Sequence, residues 1–327
     1  MSDLLLLFLP FFALVLMGWG AARSGVLPIE GIGAMNTFVL FFGLPAMVLR
    51  LSASGAMQQT GLPSLLLVYG LAGALTLALA LGWSVRAGLS RRDGGLVGLV
   101  SAFPNTGFLG LPLLTSLLGE QAAGPVAATL VVDVLCLSSL SLAWAHSRPT
   151  DAGHDEAWQA ALMSLKGALR NPLLWSLAAG LLVSMNHWAL PDVVDHTLRL
   201  LSLSASPTAL FTLGAMLARA QMQGSVGRVQ STGRVLGWSA LKLVVHPALV
   251  YGCALALQTG GVMTVPAAGL TTLMLAAALP SAANVSMLAE REGADTALVA
   301  RIIMWTTVAA ILTLSLWVHV LGVSTLP

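Results

Sequence analysis

Apolar stretches long enough to cross a lipid bilayer recur from one end of this chain to the other, and nothing else narrows its possible folds as much. A window of about 19 residues selects ten of them: 4–22, 31–52, 64–84, 94–118, 122–145, 172–188, 197–218, 234–256, 264–289 and 298–322. In hydrocarbon every backbone N–H and C=O needs a partner from the chain itself, so such stretches become helices. The composition agrees. Of 327 residues, 57% are hydrophobic and 9% charged, with mean hydropathy +0.88, whereas soluble domains carry roughly 25% charged residues. The expectation is an all-α membrane protein of ten transmembrane helices.

The first stretch, "LLLLFLPFFALVLMGWGAA", has only Asp3 before it and Arg23 after it. That charge order is wrong for a signal peptide and suits a retained first helix. The net charge of +2 is spread in ones and twos, which gives no footprint for nucleic acid or for a polybasic lipid patch. Cys136 and Cys253 lie inside apolar segments with no CxxC or histidine neighbour, so they read as small packing residues rather than a disulfide or metal site.

Basic residues orient the spans. Loops after odd-numbered spans hold Arg23, Arg86, Arg91, Arg92, Arg148, Lys166, Arg170, Arg219, Arg228, Arg234, Arg291 and Arg301; loops after even-numbered spans hold Arg50 and Arg199. That bias places both termini outside, in the cell (inner) membrane. The long hydrophilic stretch then falls on the cytoplasmic side. It contains "AWQAALMSLKGALR", with Trp158, Ala161, Leu162, Leu165 and Leu169 on one helical face, the pattern of a helix lying in the interface. His146 and His154, eight residues apart, read as loop histidines rather than metal ligands.

This loop divides the chain into a first repeat of five helices (1–145), a loop with an interfacial helix (146–171) and a second repeat of five (172–327). An odd number of spans in each half inserts the second half upside down, as in inverted-repeat transporters. Corresponding spans carry corresponding flaws. The second spans contain Pro45 and Pro207. The fourth spans are interrupted near their middles, by "AFPNTGFLG" with Pro104 and Asn105, and by "ALPSAANVS" with Pro280 and Asn284. Proline deletes a backbone hydrogen bond and glycine weakens the helix around it. If both segments unwind and cross, two half-helix N-termini meet there. They present amide hydrogens and positive dipole ends to an anion without any basic side chain. Pro104, Asn105, Thr106, Gly107, Pro280, Ser281 and Asn284 are therefore the candidate substrate-binding residues. The hydroxyls of Thr106, Ser281 and Ser286 are read mainly as caps of the half-helices. Pro247 is read as a kink and nothing more.

"FPNTGFLGLPLL", "FVLFFGLPAMVLRL", "NPLLWSLAAGLL", "ASPTALFTLGAMLA", "LKLVVHPALV" and "ALPSAANVSMLAEREGADTALVARIIMWTTVAAILTL" occur in that order. Together they resemble the auxin efflux carrier family, which includes bacterial permeases and the plant PIN-type auxin exporters. The resemblance implies ten helices in two inverted five-helix repeats, crossed broken helices 4 and 9, and a related fold in bile-acid sodium symporters. It also implies transport of organic anions, carboxylates such as auxin-like acids or malonate, and gives Asn105 the role of the motif asparagine that helps hold the substrate carboxylate. Asn284 stands four residues after Pro280 rather than directly after it, and the long central loop of many plant members is absent.

Ionisable groups inside spans are functional candidates, because burying a charge in a bilayer is costly. Asp133, near the middle of span five, has two roles open to it: coupling transport to Na+ or H+, or a structural hydrogen bond to a neighbouring helix. Lys242 is expected to snorkel to the interface, with attraction of a substrate anion as its other role. His246 is expected to be a satisfied core histidine, and Arg50 and Arg301 to snorkel. No HExxH, GxSxG, GxGD or GxxxxGK[ST] pattern occurs, so an enzyme or a nucleotide-driven pump is not expected. The reading is a secondary carrier of small organic anions working by alternating access. It has no cofactor, its partners are the substrate and the bilayer, and a homodimer stays open. A sodium- or proton-coupled symporter and a gated anion channel are the alternatives.

Overall fold

A computed structural model describes residues 2–55, 61–147, 172–222 and 230–323. The interfacial helix expected around Trp158, with His154, Arg148, Lys166 and Arg170, lies outside these residues, as does Arg228. The described residues form twelve helical segments. They are α1 (Ser2–Arg23), α2 (Ile29–Ala53), α3 (Leu62–Arg86), α4 (Arg91–Ala102), α5 (Thr106–Leu118) and α6 (Glu120–His146). The second half adds α7 (Pro172–Met185), α8 (Asp192–Met222), α9 (Thr232–Thr259), α10 (Ala267–Ala277), α11 (Asn284–Arg291) and α12 (Thr296–Val320). Six of them, α2, α3, α6, α8, α9 and α12, are long and apolar enough to cross a membrane. Each expected span is met by helix, and the stretches 94–118 and 264–289 are each met by two pieces with a gap between them.

Three of the helices tolerate proline by one device. Wide i→i+5 turns at Val39–Gly43, Thr106–Gly110 and Leu241–Val245 precede Pro45, Pro112 and Pro247. Proline lacks an N–H and its ring crowds the carbonyl four residues back, so a wider turn relieves both conflicts. For Pro247 the displaced carbonyl belongs to Leu243, and the indole Nε1 of Trp317 donates to it at 2.9 Å. Pro247 thus does more than the expected kink, because it frees an acceptor that ties α9 to α12.

The helices pack as two groups. In one, α1 runs along α8 and α2 packs against α7 and α8. Small residues set these contacts: a Cβ at Gly18 would run into the backbone carbonyl of Phe211, and one at Gly214 into that of Val15. Close backbone approach through glycine is how helices associate where lipid removes the hydrophobic drive. Gly214→Leu is therefore expected to destabilise the protein by about 3 kcal/mol or more, because neither backbone has room to yield. A purified variant melting with the wild type would refute this contact.

In the second group, α3 packs on α4, and α4 on α6; α9 contacts α3, α10 and α12. The N-terminal caps of α4 and α12 interlock at one end of this group. Ser90 Oγ accepts from Asp93 N at 3.1 Å, Asp295 Oδ1 from Leu298 N at 2.9 Å, and Asp93 Oδ1 from Asp295 N at 2.8 Å. Alongside, His146 Nε2 meets Glu292 Oε2 at 2.9 Å, so this histidine binds a carboxylate. No group of three or more metal-binding side chains occurs among the described residues.

Candidate functional site

The site begins where two helices stop. Past Ala102 the backbone turns extended, with φ −94° and ψ 105° at Phe103, and the chain returns to helix at Thr106 with Asn105 as its N-cap. In the second half, α10 ends at Ala277 and α11 starts at Asn284. The two gaps lie antiparallel across each other, with Pro104 opposite Ser281. Asn105 N donates to Pro280 O at 2.8 Å, and Ala282 N donates to Phe103 O at 3.0 Å. Both prolines therefore sit at full interruptions rather than kinks.

Backbone groups stripped of helical partners must be satisfied from elsewhere in the protein. Ser281 N donates to Thr306 Oγ1 at 3.1 Å, and that hydroxyl in turn donates to Ile303 O at 2.9 Å. Thr106 N turns back to Pro104 O at 2.8 Å, and Leu279 N to Ala276 O at 3.2 Å. The carbonyl of Ala277, last residue of α10, accepts from the ammonium of Lys242 on α9. The crossing is thus held by two reciprocal main-chain bonds, one threonine and one lysine.

The hydroxyls do not cap the half-helices as the sequence suggests. Neither Asn105 nor Ala283, the residues in the cap positions, makes a side-chain cap bond. Thr106 Oγ1 faces Pro104 O at 3.5 Å, and Ser286 Oγ donates to Ala283 O at 2.7 Å. The hydroxyls of Thr106 and Ser286 thus turn to local carbonyls rather than to first-turn amides.

A cavity of about 40 Å³ opens at the start of α5 and α11, lined by Phe103, Pro104, Asn105, Gly107, Ala282 and Asn284 on the crossing side. The opposite wall comes from Leu40 and Leu44 of α2 and Leu173 of α7, with Phe108 of α5 and Leu130 and Val134 of α6 completing it. Asn105 is 4% exposed, and its Nδ2 has no hydrogen-bond partner; the Ser281 hydroxyl is also buried without one. Buried donors in native proteins are nearly always paired, so an unpaired amide at a cavity wall marks a place where something else accepts. Of the expected site residues, Pro104, Asn105, Gly107 and Asn284 reach the cavity. Thr106, Pro280 and Ser281 build the crossing.

Asp133 and Lys242 do not line this cavity. Asp133 is fully buried and accepts from the Tyr69 hydroxyl, which lies 3.0 Å from Oδ1 and 3.3 Å from Oδ2. Lys242, at 0% exposure, does not snorkel; it is directed to Ala277 and lies within electrostatic reach of Asp133. His246 is not a satisfied histidine, since neither ring nitrogen has a partner, and its ring lies 5.6 Å from that of Tyr69. Arg50, near the end of α2, holds Asp195 of α8 at 2.8 Å and 3.3 Å. Arg301 donates to Gln230 O at 2.8 Å. Tyr69 and Thr306 escape the sequence reading. A tyrosine in a chain with only two and the Thr306–Thr307 pair in an apolar span were the available signals.

A family model described as "Membrane transport protein" matches residues 4–318. The chain belongs to this family, the auxin efflux carrier family that its motifs resemble. Among relatives of this membrane transport protein, the "Putative malonate transporter" of Rhizobium meliloti (strain 1021) is 26% identical over 333 residues, covering 100% of this chain and 98% of the relative. An "Uncharacterized transporter" of Methanothermobacter thermautotrophicus is 27% identical over 319 residues, or 96% and 97% of the two chains. The "Uncharacterized transporter YfdV" of Escherichia coli (strain K12) is 21% identical over 322 residues, or 95% and 96%. The family membership makes the chain an integral membrane transporter of a small molecule, and its apolar helices agree.

Proposed function

We propose that this transporter is a secondary carrier of small organic anions, with the carboxylate of the substrate bound at the starts of α5 and α11. The observation that carries the reading is the buried, unpaired Nδ2 of Asn105 at the wall of a cavity that both half-helices enter. Two helix N-termini and two asparagine amides make an anion site without a cationic side chain, so charge is recognised without a permanent ion pair to break on release. The name of the Rhizobium relative supports a carboxylate substrate, malonate among them.

In this reading α4 with α5, and α10 with α11, are single broken passes. Ten passes then form two inverted five-helix repeats in the cell membrane, with both termini outside. The cavity of about 40 Å³ has room for a water molecule or two rather than an organic anion. Substrate entry therefore calls for movement, and the cavity lies where α2 and α7 face the crossing. Alternating access is accordingly assigned to displacement of the crossed group against α1, α2, α7 and α8, whose glycine contacts make them one unit.

A panel of mono- and dicarboxylates, malonate included, tests the site on purified protein. A true ligand at about 100 times its Kd raises stability by about 2.7 kcal/mol, read as a higher melting temperature. Saturable uptake with counterflow in proteoliposomes should accompany it. A panel without effect, or flux that neither saturates nor counterflows, would reject the carrier reading. Labelling of the two ends from outside the cell checks the orientation.

A further inference from the structure

The two breaks differ by one residue in register. At the crossing Pro104 faces Ser281, and the reciprocal bonds make Asn105 the counterpart of Ala282 and Phe103 that of Pro280. In an antiparallel pair of this kind the two facing residues direct their own amides away from each other. Pro104 fits there without loss, since proline has no N–H. In the second break the proline falls one residue earlier. Ser281 therefore carries to the same position an amide that needs an acceptor inside the protein.

Thr306 of α12 supplies that acceptor. Its Oγ1 accepts from Ser281 N at 3.1 Å and donates to Ile303 O at 2.9 Å, and the side chain is fully buried. With its hydrogen committed to its own helix, the oxygen is left as an acceptor for the break. Thr307 is the natural control. It is buried as well and donates to the same Ile303 carbonyl at 2.7 Å, yet it accepts from no amide of the break among the described residues.

The register also decides what the second break can offer an anion. Ala282, the counterpart of Asn105, has no side-chain donor. The second half therefore reaches the cavity through Asn284 and through main chain. Ala282 and Asn284 line the cavity, and the amides of Ala283 and Asn284 have no acceptor among the described residues. We propose that Thr306 is a positioning residue of the anion site. By holding the Ser281 amide it fixes the direction in which the second break offers these main-chain donors and the Asn284 side chain. The statement about binding rests on the carboxylate reading above; the hold of Thr306 on the break does not.

The test compares Thr306→Val, Thr306→Ser and Thr307→Val in the full-length protein. Thr306→Val keeps the shape and removes the acceptor. Hydrogen exchange of the segment 279–285, read without substrate, should then quicken about threefold to tenfold, the scale of one hydrogen bond. Thr306→Ser retains the oxygen, and Thr307→Val leaves the break untouched, so both should exchange as the wild type does. Malonate and acetate affinities, read from melting shifts, should fall about tenfold in Thr306→Val alone, the scale of one hydrogen bond to a charged group. Ser281→Pro copies the first break and deletes the amide. On that background Thr306→Val should have no further effect on exchange, and this arm remains decisive if Thr306→Val alone cannot be purified. Equal exchange in Thr306→Val and Thr307→Val overturns the proposal. So does a serine variant that behaves like the valine one, or a full Thr306→Val effect on Ser281→Pro. Faster exchange with unchanged carboxylate affinity would leave Thr306 a purely structural residue and overturn it too. A wild type that binds neither carboxylate, with the exchange pattern intact, would count against the substrate reading and leave the hold of Thr306 on the break in place.

Discussion

Asn105→Ala is expected to weaken carboxylate binding and uptake by about tenfold to a hundredfold while the melting temperature without substrate stays at the wild-type value. A hydrogen bond to a charged group contributes about 1.5–3 kcal/mol, and that is the interaction removed. The unchanged stability follows from the geometry. The side-chain Nδ2 has no partner in the protein, and the bonds that hold the crossing at this residue use its backbone N–H and carbonyl, which alanine retains. Asn105→Asp sharpens the test. A carboxylate at a helix N-terminus is favourable for the helix, yet it repels an incoming anion. This variant should therefore fold and fail to bind. Normal uptake by either variant would remove Asn105 from the site, whereas loss of the fold in Asn105→Ala would show that the side chain serves the crossing itself.

Asp133→Ala is expected to lower stability by about 3 kcal/mol, because the buried Tyr69 hydroxyl loses its acceptor and Lys242 loses the carboxylate within its electrostatic reach. The substitution takes the acceptor from the Tyr69 hydroxyl and the nearby carboxylate from Lys242, and both side chains are fully buried. Asp133→Asn should cost less, because an amide oxygen still accepts from Tyr69 while only the counter-charge is lost. Combining Asp133→Ala with Lys242→Met should recover much of the loss, since no unpaired charge is then left inside. Thermal melts of the purified variants decide the matter. Additive losses in the double variant would mean that the two groups act independently, and the paired reading would fail.

The span positions were legible in the sequence because the bilayer imposes one requirement on every residue of a span, so a window average suffices. The breaks at Pro104 and Pro280 were legible because proline and glycine act on their own backbone. The asparagines stood out because an amide side chain is rare in such surroundings. Lys242 was misread. Snorkelling is a property of one residue and its depth, whereas its actual acceptor is Ala277, 35 residues along the chain. The hydroxyl caps were misread for a similar reason. A serine or threonine beside a helix start has both amide donors and carbonyl acceptors in reach, and the carbonyls left open at these breaks drew the hydroxyl hydrogens of Thr106 and Ser286.

The sequence by itself thus determined that the chain lives in a membrane, where its helices run and where two of them must fail. These are local or averaged properties, written in each segment's own residues. The tertiary structure alone decided that the two failures hydrogen-bond to each other, that Thr306 and Lys242 complete them and that Tyr69 holds Asp133. Those bonds join groups separated by 25, 35 and 64 residues, and no periodicity encodes which buried donor will meet which orphaned acceptor until the helices have packed.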